Sequence, residues 1–399
     1  MSLHHGRPYL AIPGPSVMPD RVLQAMQRPA PNIYTGALVE LFESILPDLK
    51  AVARTKHHVA TYITNGHGAW EAILANLVAP GEAVLVVATG NFGTEWAQMA
   101  RRMGIVVDLL DFGKRSPADP DQVEARLRAD RDGRIKAVLA THVDTATSVR
   151  NDIAGLRQAM DAAGHPALLL ADCVASLGCD RFEMDDWGVD AMLAASQKGL
   201  MTPPGLGFVY FNDKAAQVRA KMEQVSAYWD WTPRTQPDAF YQYFGGTPPT
   251  HHLYALREAL TMLVHEEGVE AAWARHAHLA RTIWAALEVW GEGGPMEMNI
   301  QDPALRAHEV TAVRLGAPNG TVLREWLEAH TGVTLGIGLG MAPAGDPAAD
   351  GFFRIGHMGH VNAHMILGVL ASMQAGLVAL GIPHGKGALD AAAAVVAQA

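Results

Sequence analysis

Between about Ala60 and Asn212 the chain alternates short apolar runs with helical stretches, and this alternation restricts the fold more than any other feature. The runs are Val59–Ile63, Ala83–Val87, Ile105–Leu110, Ala137–Ala140, Ala167–Ala171, Met192–Ala194 and Gly207–Phe211. Between them lie helix-like segments at Glu71–Val78, Glu95–Met103, Pro120–Ala129 and Ile153–Ala163, several opened by Asp or Pro and closed by Gly. About seven strands separated by helices predict an α/β fold with a mostly parallel sheet wrapped by helices.

Downstream, an irregular aromatic stretch from Tyr228 to Pro249 precedes a long helical pattern from about His252 to Val289. Glu309–Leu315 and Gly351–Gly356 then read as strands, Thr321–His330 and Asn362–Leu380 as helices, and the Ala-rich tail from Leu389 as a terminal helix. The expected organisation is an N-terminal segment (1–20), a large domain (21–255), and a connecting helix leading into a small α+β C-terminal domain (256–399). No repeat or low-complexity linker separates them.

The composition excludes several function classes. A net charge of -10 provides no basic footprint for nucleic acid or for an anionic membrane surface. No apolar run reaches the ~18 residues of a membrane span. Two cysteines, Cys173 and Cys179, are too few for a disulfide framework and lack zinc-ligand spacing, which fits a reducing compartment. With no charged and then apolar leader at the N-terminus, the expected location is the cytoplasm.

Four short motifs could carry chemistry. Ser196-Gln197-Lys198-Gly199 follows a buried-looking run, where a lysine is costly unless paired or neutralised. Imine formation with an aldehyde would resolve that cost, although for this tetrapeptide alone a lysine snorkelling out of a loop is the commoner reading. Upstream, the run Leu168–Ala171 ends in Asp172, a carboxylate at the ligand-binding edge of a parallel sheet. Such an Asp can hold a pyridinium N–H, or simply close a turn. Asn65-Gly66-His67-Gly68 lies between strand and helix, where small residues let backbone N–H groups close on an anion. It lacks the Gly-Lys-Ser/Thr of a nucleotide loop, and Gly336-Ile337-Gly338-Leu339-Gly340 lacks the spacing of a dinucleotide motif. Finally, Arg354 in Phe353-Arg354-Ile355-Gly356-His357-Met358-Gly359 offers a planar fork matched to a carboxylate, or to a structural ion pair.

Together with Ile12-Pro13-Gly14-Pro15-Ser16, these motifs in this order resemble the class V aminotransferases of pyridoxal 5'-phosphate (PLP) fold type I. They are most similar to the alanine-glyoxylate and serine-glyoxylate aminotransferase family, over nearly the whole chain. The resemblance implies that Lys198 forms the internal aldimine with PLP, Asp172 binds the pyridine nitrogen, and Gln197, Asn65, Gly66 and His67 surround the phosphate. It implies that Phe92 stacks on the cofactor and that Thr145 lies near cofactor and substrate. Arg354 would clamp the substrate carboxylate, with Pro13 and Gly14 beside it. Thr247 matches a threonine donated by the other subunit of a homodimer with shared active sites. The family's phosphate-binding Tyr is replaced here by Phe244, leaving Tyr243 or Tyr241 to substitute, and Asn65 stands where Ser is common.

The implied activity is ping-pong transfer of an amino group from serine or alanine to glyoxylate or pyruvate, since no second Arg beside Arg354 forms a dicarboxylate pattern. A rival is pyridoxamine-pyruvate aminotransferase, which holds no phosphate; Gly66-His67-Gly68 and Gln197 argue against it. A cysteine desulfurase-like lyase needs a nucleophilic Cys in the C-terminal region, where this chain has none.

Overall fold

The computed structural model describes residues 3–399. In chain order the strands are β1 (Tyr9–Ala11), β2 (His58–Tyr62), β3 (Ala83–Ala88), β4 (Val106–Asp111), β5 (Ile135–Thr141), the short pair β6 (Val143–Asp144) and β7 (Val149–Arg150), β8 (Leu168–Asp172), β9 (Ala191–Ala195), β10 (Gly207–Phe211), β11 (Glu297–Met298), β12 (Val310–Arg314), β13 (Val333–Ile337) and β14 (Phe352–Gly356). Seven of them form one sheet in the order β2-β10-β9-β8-β5-β3-β4, in which only β10 runs against its neighbours. These are the seven apolar runs of the sequence. The central strands β8, β9 and β10 are buried at every residue, because helices cover both faces and no position is left for alternating polar residues. Each of Leu168, Leu169 and Leu170 contributes ~1.5–3 kcal/mol by that burial. β4 lies on the edge, and accordingly carries Asp108, Asp111 and an exposed Val106.

The second sheet has the order β1-β13-β14-β12-β11. Strand β1 pairs in parallel with β13, Tyr9 opposite Val333 and Ala11 opposite Leu335, so the N-terminal segment is held in the same sheet as the C-terminal strands. Two differences from the sequence reading concern helices. The pattern expected to run unbroken from His252 to Val289 is divided into Thr250–Leu260, a π-helical turn at Thr261–Glu267, and Val269–Glu292. Gly268, at φ 89°, adopts a backbone conformation no helix continues through. The helix expected from Glu71 starts at Gly66 and ends at Leu77. Its first turn is rich in glycine and therefore poor in helix propensity, but the Asn65 side chain caps it. Among the described residues no helix is long and apolar enough to cross a membrane.

Candidate active site

The parallel strands of the large sheet share one carboxyl edge, and each delivers a functional segment there. β2 leads to Asn65 and the helix behind it, β3 to Asn91-Phe92, β5 to the β6–β7 hairpin with Thr145, β8 to Asp172, and β9 to Gln197-Lys198. This is where such sheets bind ligands. A cavity of about 240 Å³ lies at that edge. Asn65, Gly66, His67, Phe92, Thr145, Asp172, Gln197 and Lys198 all line it, with Trp70, Val143, Val174 and Ala175 completing the walls.

Asp172 is buried at one end. Its Oδ1 accepts from the Val174 N–H at 2.8 Å and its Oδ2 from Trp70 Nε1 at 2.9 Å. Burial pushes its pKa up to about 6, and the two donors oppose that shift. Trp70 was missed as a site residue by sequence reasoning. The available signal was its position one helical turn after Gly66, on the same face.

Lys198 forms the opposite wall. Its Nζ donates to the Pro13 carbonyl. Burial, with the nearby Arg354 charge, pushes the ammonium pKa down to about 8, while Asp172 pulls it back. The residue keeps some exposed surface, since it faces the cavity, but protein packed around the nitrogen makes desolvation the leading cause. The N-terminal segment straps the lysine loop from above: Ser16 N–H donates to the Gln197 carbonyl at 2.8 Å and Ser16 Oγ to the Lys198 carbonyl at 2.8 Å. Gly14, at φ 98°, lies against the end of the Lys198 side chain, where a Cβ would collide with it.

Arg354 is buried on β14, behind Thr145. Its Nε donates to the Ile337 carbonyl at 2.6 Å and Nη1 to the Thr145 carbonyl at 3.0 Å, leaving Nη2 unengaged among the described residues. Burial lowers its pKa to about 10, and the charge of Asp144 opposes this. Asp144, a second residue sequence reasoning missed, is wholly buried and accepts from Phe92 N at 2.8 Å, Gly93 N at 3.4 Å and Ala146 N at 2.9 Å. It therefore holds the backbone of Phe92 and faces Arg354 at once. No motif marks it in the sequence. The Phe92 ring meets Trp70 edge-on, with centroids 6.2 Å apart.

The class-V aminotransferase family matches residues 8–352. The chain belongs to that family. It is 36% identical over 395 residues to a serine--glyoxylate aminotransferase of Methylorubrum extorquens, covering 97% of this chain and 95% of the relative. It is 34% identical over 397 residues to the corresponding enzyme of Arabidopsis thaliana, covering 98% and 96%. The solved structure of a ureidoglycine-glyoxylate aminotransferase from Bacillus subtilis superposes with a TM-score of 0.87 at 26% identity, covering 98% of each chain. The protein is thus a fold type I, PLP-dependent transaminase.

The aminotransferase's cavity fits that cofactor on its own chemistry. An anchored carboxylate faces a lysine that burial has made easier to deprotonate, aromatic rings form one wall, and Gln197 presents a buried amide whose Oε1 has no partner. Beside Gln197, the Gly66 N–H heads a helix of twelve residues, favourable for a phosphate. The remaining expected residues lie elsewhere in the single chain. Thr247 is exposed, Tyr243 packs edge-on against Phe42 at 4.9 Å, and neither lines the cavity. Phe244 is fully buried against Phe42 at 4.8 Å, so its role is in the core.

Proposed function

We propose that this aminotransferase carries the amino group of serine or alanine to glyoxylate or pyruvate in a ping-pong cycle, as a cytoplasmic homodimer. The observation that carries the reading is the meeting, in one 240 Å³ cavity, of Lys198, with a pKa near 8, and the buried, doubly anchored Asp172. Lys198 would hold PLP covalently, Asp172 would receive its ring N–H, Phe92 would cover it, and Gln197, Gly66, His67 and Asn65 would surround its phosphate. When bound, PLP supplies an electron sink for the bond broken at the substrate Cα. With PLP bound, the Lys198 amine would serve first as its anchor and then, once free, as the base that accepts the substrate Cα proton and hands it on. The unused Nη2 of Arg354, with Nη1, orients the substrate carboxylate, and Thr145 and the Pro13-Gly14 segment enclose the rest. Val143, Val174 and Ala175 leave room for short side chains, in keeping with the serine--glyoxylate relatives.

The dimer is supported by Thr247, which is exposed and lies away from its own cavity, where it can serve a neighbour's site. Tyr241, also exposed, takes the place left by Phe244 better than the packed Tyr243. Sulfur transfer finds no support, since Cys173 and Cys179 are both buried and burial raises both thiol pKa values. One observation favours the pyridoxamine-pyruvate reading: Asn65 Oδ1 already accepts from His67 N at 3.1 Å and Gly68 N at 3.4 Å, and the first of these, on the cavity, is a donor a phosphate would use.

An absorbance titration tests the proposal. A visible band that bleaches with serine or alanine and is absent from Lys198→Ala is the expected result. No band after PLP addition, with new absorbance only from pyridoxamine plus pyruvate, would replace the first reading by the second.

A further inference from the structure

The Asn65 side chain has a consequence for which form of the vitamin this site accepts, and the inference rests on the transaminase reading above. Gly66 and His67, the first two residues of the helix Gly66–Leu77, line the cavity, and a helix N-terminus there attracts a phosphate. In this chain the His67 N–H, on the cavity, donates to Asn65 Oδ1 at 3.1 Å, as does the Gly68 N–H behind it at 3.4 Å, while the Asn65 backbone carbonyl takes the Ala69 N–H at 3.1 Å. Gly66 N–H alone in the first turn has no protein acceptor among the described residues. The Asn65 backbone, at φ -109° and ψ -170°, has the extended geometry of a capping residue, so the side chain is seated without strain. An amide oxygen is neutral, whereas a phosphate is an anion. The phosphate makes the stronger bonds to the same donors but has to displace a cap that is already satisfied.

We propose that Asn65 is a displaceable plug of the phosphate subsite, which lowers the advantage of the phosphorylated vitamer and lets the cavity also take unphosphorylated pyridoxal or pyridoxamine. The thermodynamic reason is that the cap stabilises the protein only while no phosphate is bound. Removing it destabilises the free protein and leaves the phosphate-bound protein unchanged, so PLP affinity rises by about fivefold, the equivalent of the ~1 kcal/mol that an N-cap is worth. Pyridoxal leaves the cap in place, and its affinity does not change.

The test is a binding titration on the full chain freed of cofactor, with PLP and separately with pyridoxal, followed by the quenching of tryptophan fluorescence, to which Trp70 on the cavity wall contributes. Wild type, Asn65→Ala and Asn65→Asp are compared, with circular dichroism as the check on folding. The expected pattern is that Asn65→Ala binds PLP about fivefold more tightly and pyridoxal as before. Asn65→Asp, which keeps the acceptor and adds a charge, loses PLP affinity at least tenfold but retains pyridoxal. This variant also secures the test if the uncapped helix fails to fold. Weaker PLP binding in Asn65→Ala would make Asn65 a direct phosphate ligand and overturn the proposal, as would equal changes for both vitamers. If the folded wild type binds neither vitamer, the cofactor reading itself fails, and this inference with it.

Discussion

The depressed pKa of Lys198 sets how fast the site can be loaded. Only the neutral amine attacks an aldehyde, and a lysine with the ordinary value of 10.5 is neutral in about 3 of 10,000 molecules at a pH of about 7. At a pKa of about 8 the neutral fraction is about one tenth, a gain of roughly 300-fold, supplied mainly by desolvation at the sheet edge and secondarily by the Arg354 charge. The assay is stopped-flow recombination of cofactor-free protein with PLP, followed by visible absorbance across the pH range from about 6 to 10. The rate should climb about tenfold per pH unit and level off near 8. Arg354→Gln removes a cationic neighbour and should move the inflection upward, by less than the contribution of burial. A log-linear climb continuing past a pH of about 10 would show that the lysine has its ordinary basicity and would refute the argument.

Arg354→Lys gives up the planar fork that serves the Ile337 and Thr145 carbonyls and, in the proposed reading, the substrate, so KM for the amino donor should rise about tenfold or more with a smaller change in kcat; steady-state kinetics decide it, and an unchanged KM removes Arg354 from substrate binding. Gly14→Ala puts a methyl group against the end of Lys198 and should sharply reduce cofactor content, read from absorbance. Gly113→Ala, at a similarly positive φ of 77° but with no atom within 4 Å, separates backbone strain from that collision and should load normally. Glu309 is wholly buried, neither carboxyl oxygen has a hydrogen-bond partner among the described residues, and burial with the neighbouring Asp180 charge holds its pKa well above 4.5, against the opposing pull of Arg150. Its folded pKa is raised, so the stability it supports is complete below the unfolded value and declines at up to ~1.4 kcal/mol per pH unit as pH rises toward the folded value. Glu309→Gln should flatten the fall of Tm as pH rises above about 4.5; parallel curves for both proteins would mean that folding does not raise the Glu309 pKa.

Much of the site was legible because its chemistry is concentrated at strand ends, and strand ends are marked by where apolar runs stop. Asp172 and Lys198 close two such runs, and the Asn65-Gly66-His67 turn follows a third, so their convergence at one edge follows from a parallel sheet. The strands themselves were read well because continuous burial leaves an unbroken apolar signature. Helix starts were read less well: at Gly66 a side-chain cap overrides poor propensity, and a cap is a contact before it is a composition. Trp70 and Asp144 were passed over because a tryptophan in a helix and an aspartate in a hairpin are ordinary until their partners, Asp172 and the Phe92 amide, are brought to them.

The seven strands of the large sheet and the residue types able to form an imine and hold a pyridinium nitrogen were determined by the sequence alone, since each depends on local pattern or on composition. The tertiary structure decided what depends on distance across the fold. It placed Pro13, Gly14 and Ser16 over the lysine loop by pairing β1 with β13, set the Lys198 and Asp172 pKa values through burial, and seated the Asn65 amide on the first N–H groups of the helix that follows it. Desolvation and hydrogen-bond competition act only once chain segments far apart in sequence have been packed together, and no local pattern records them.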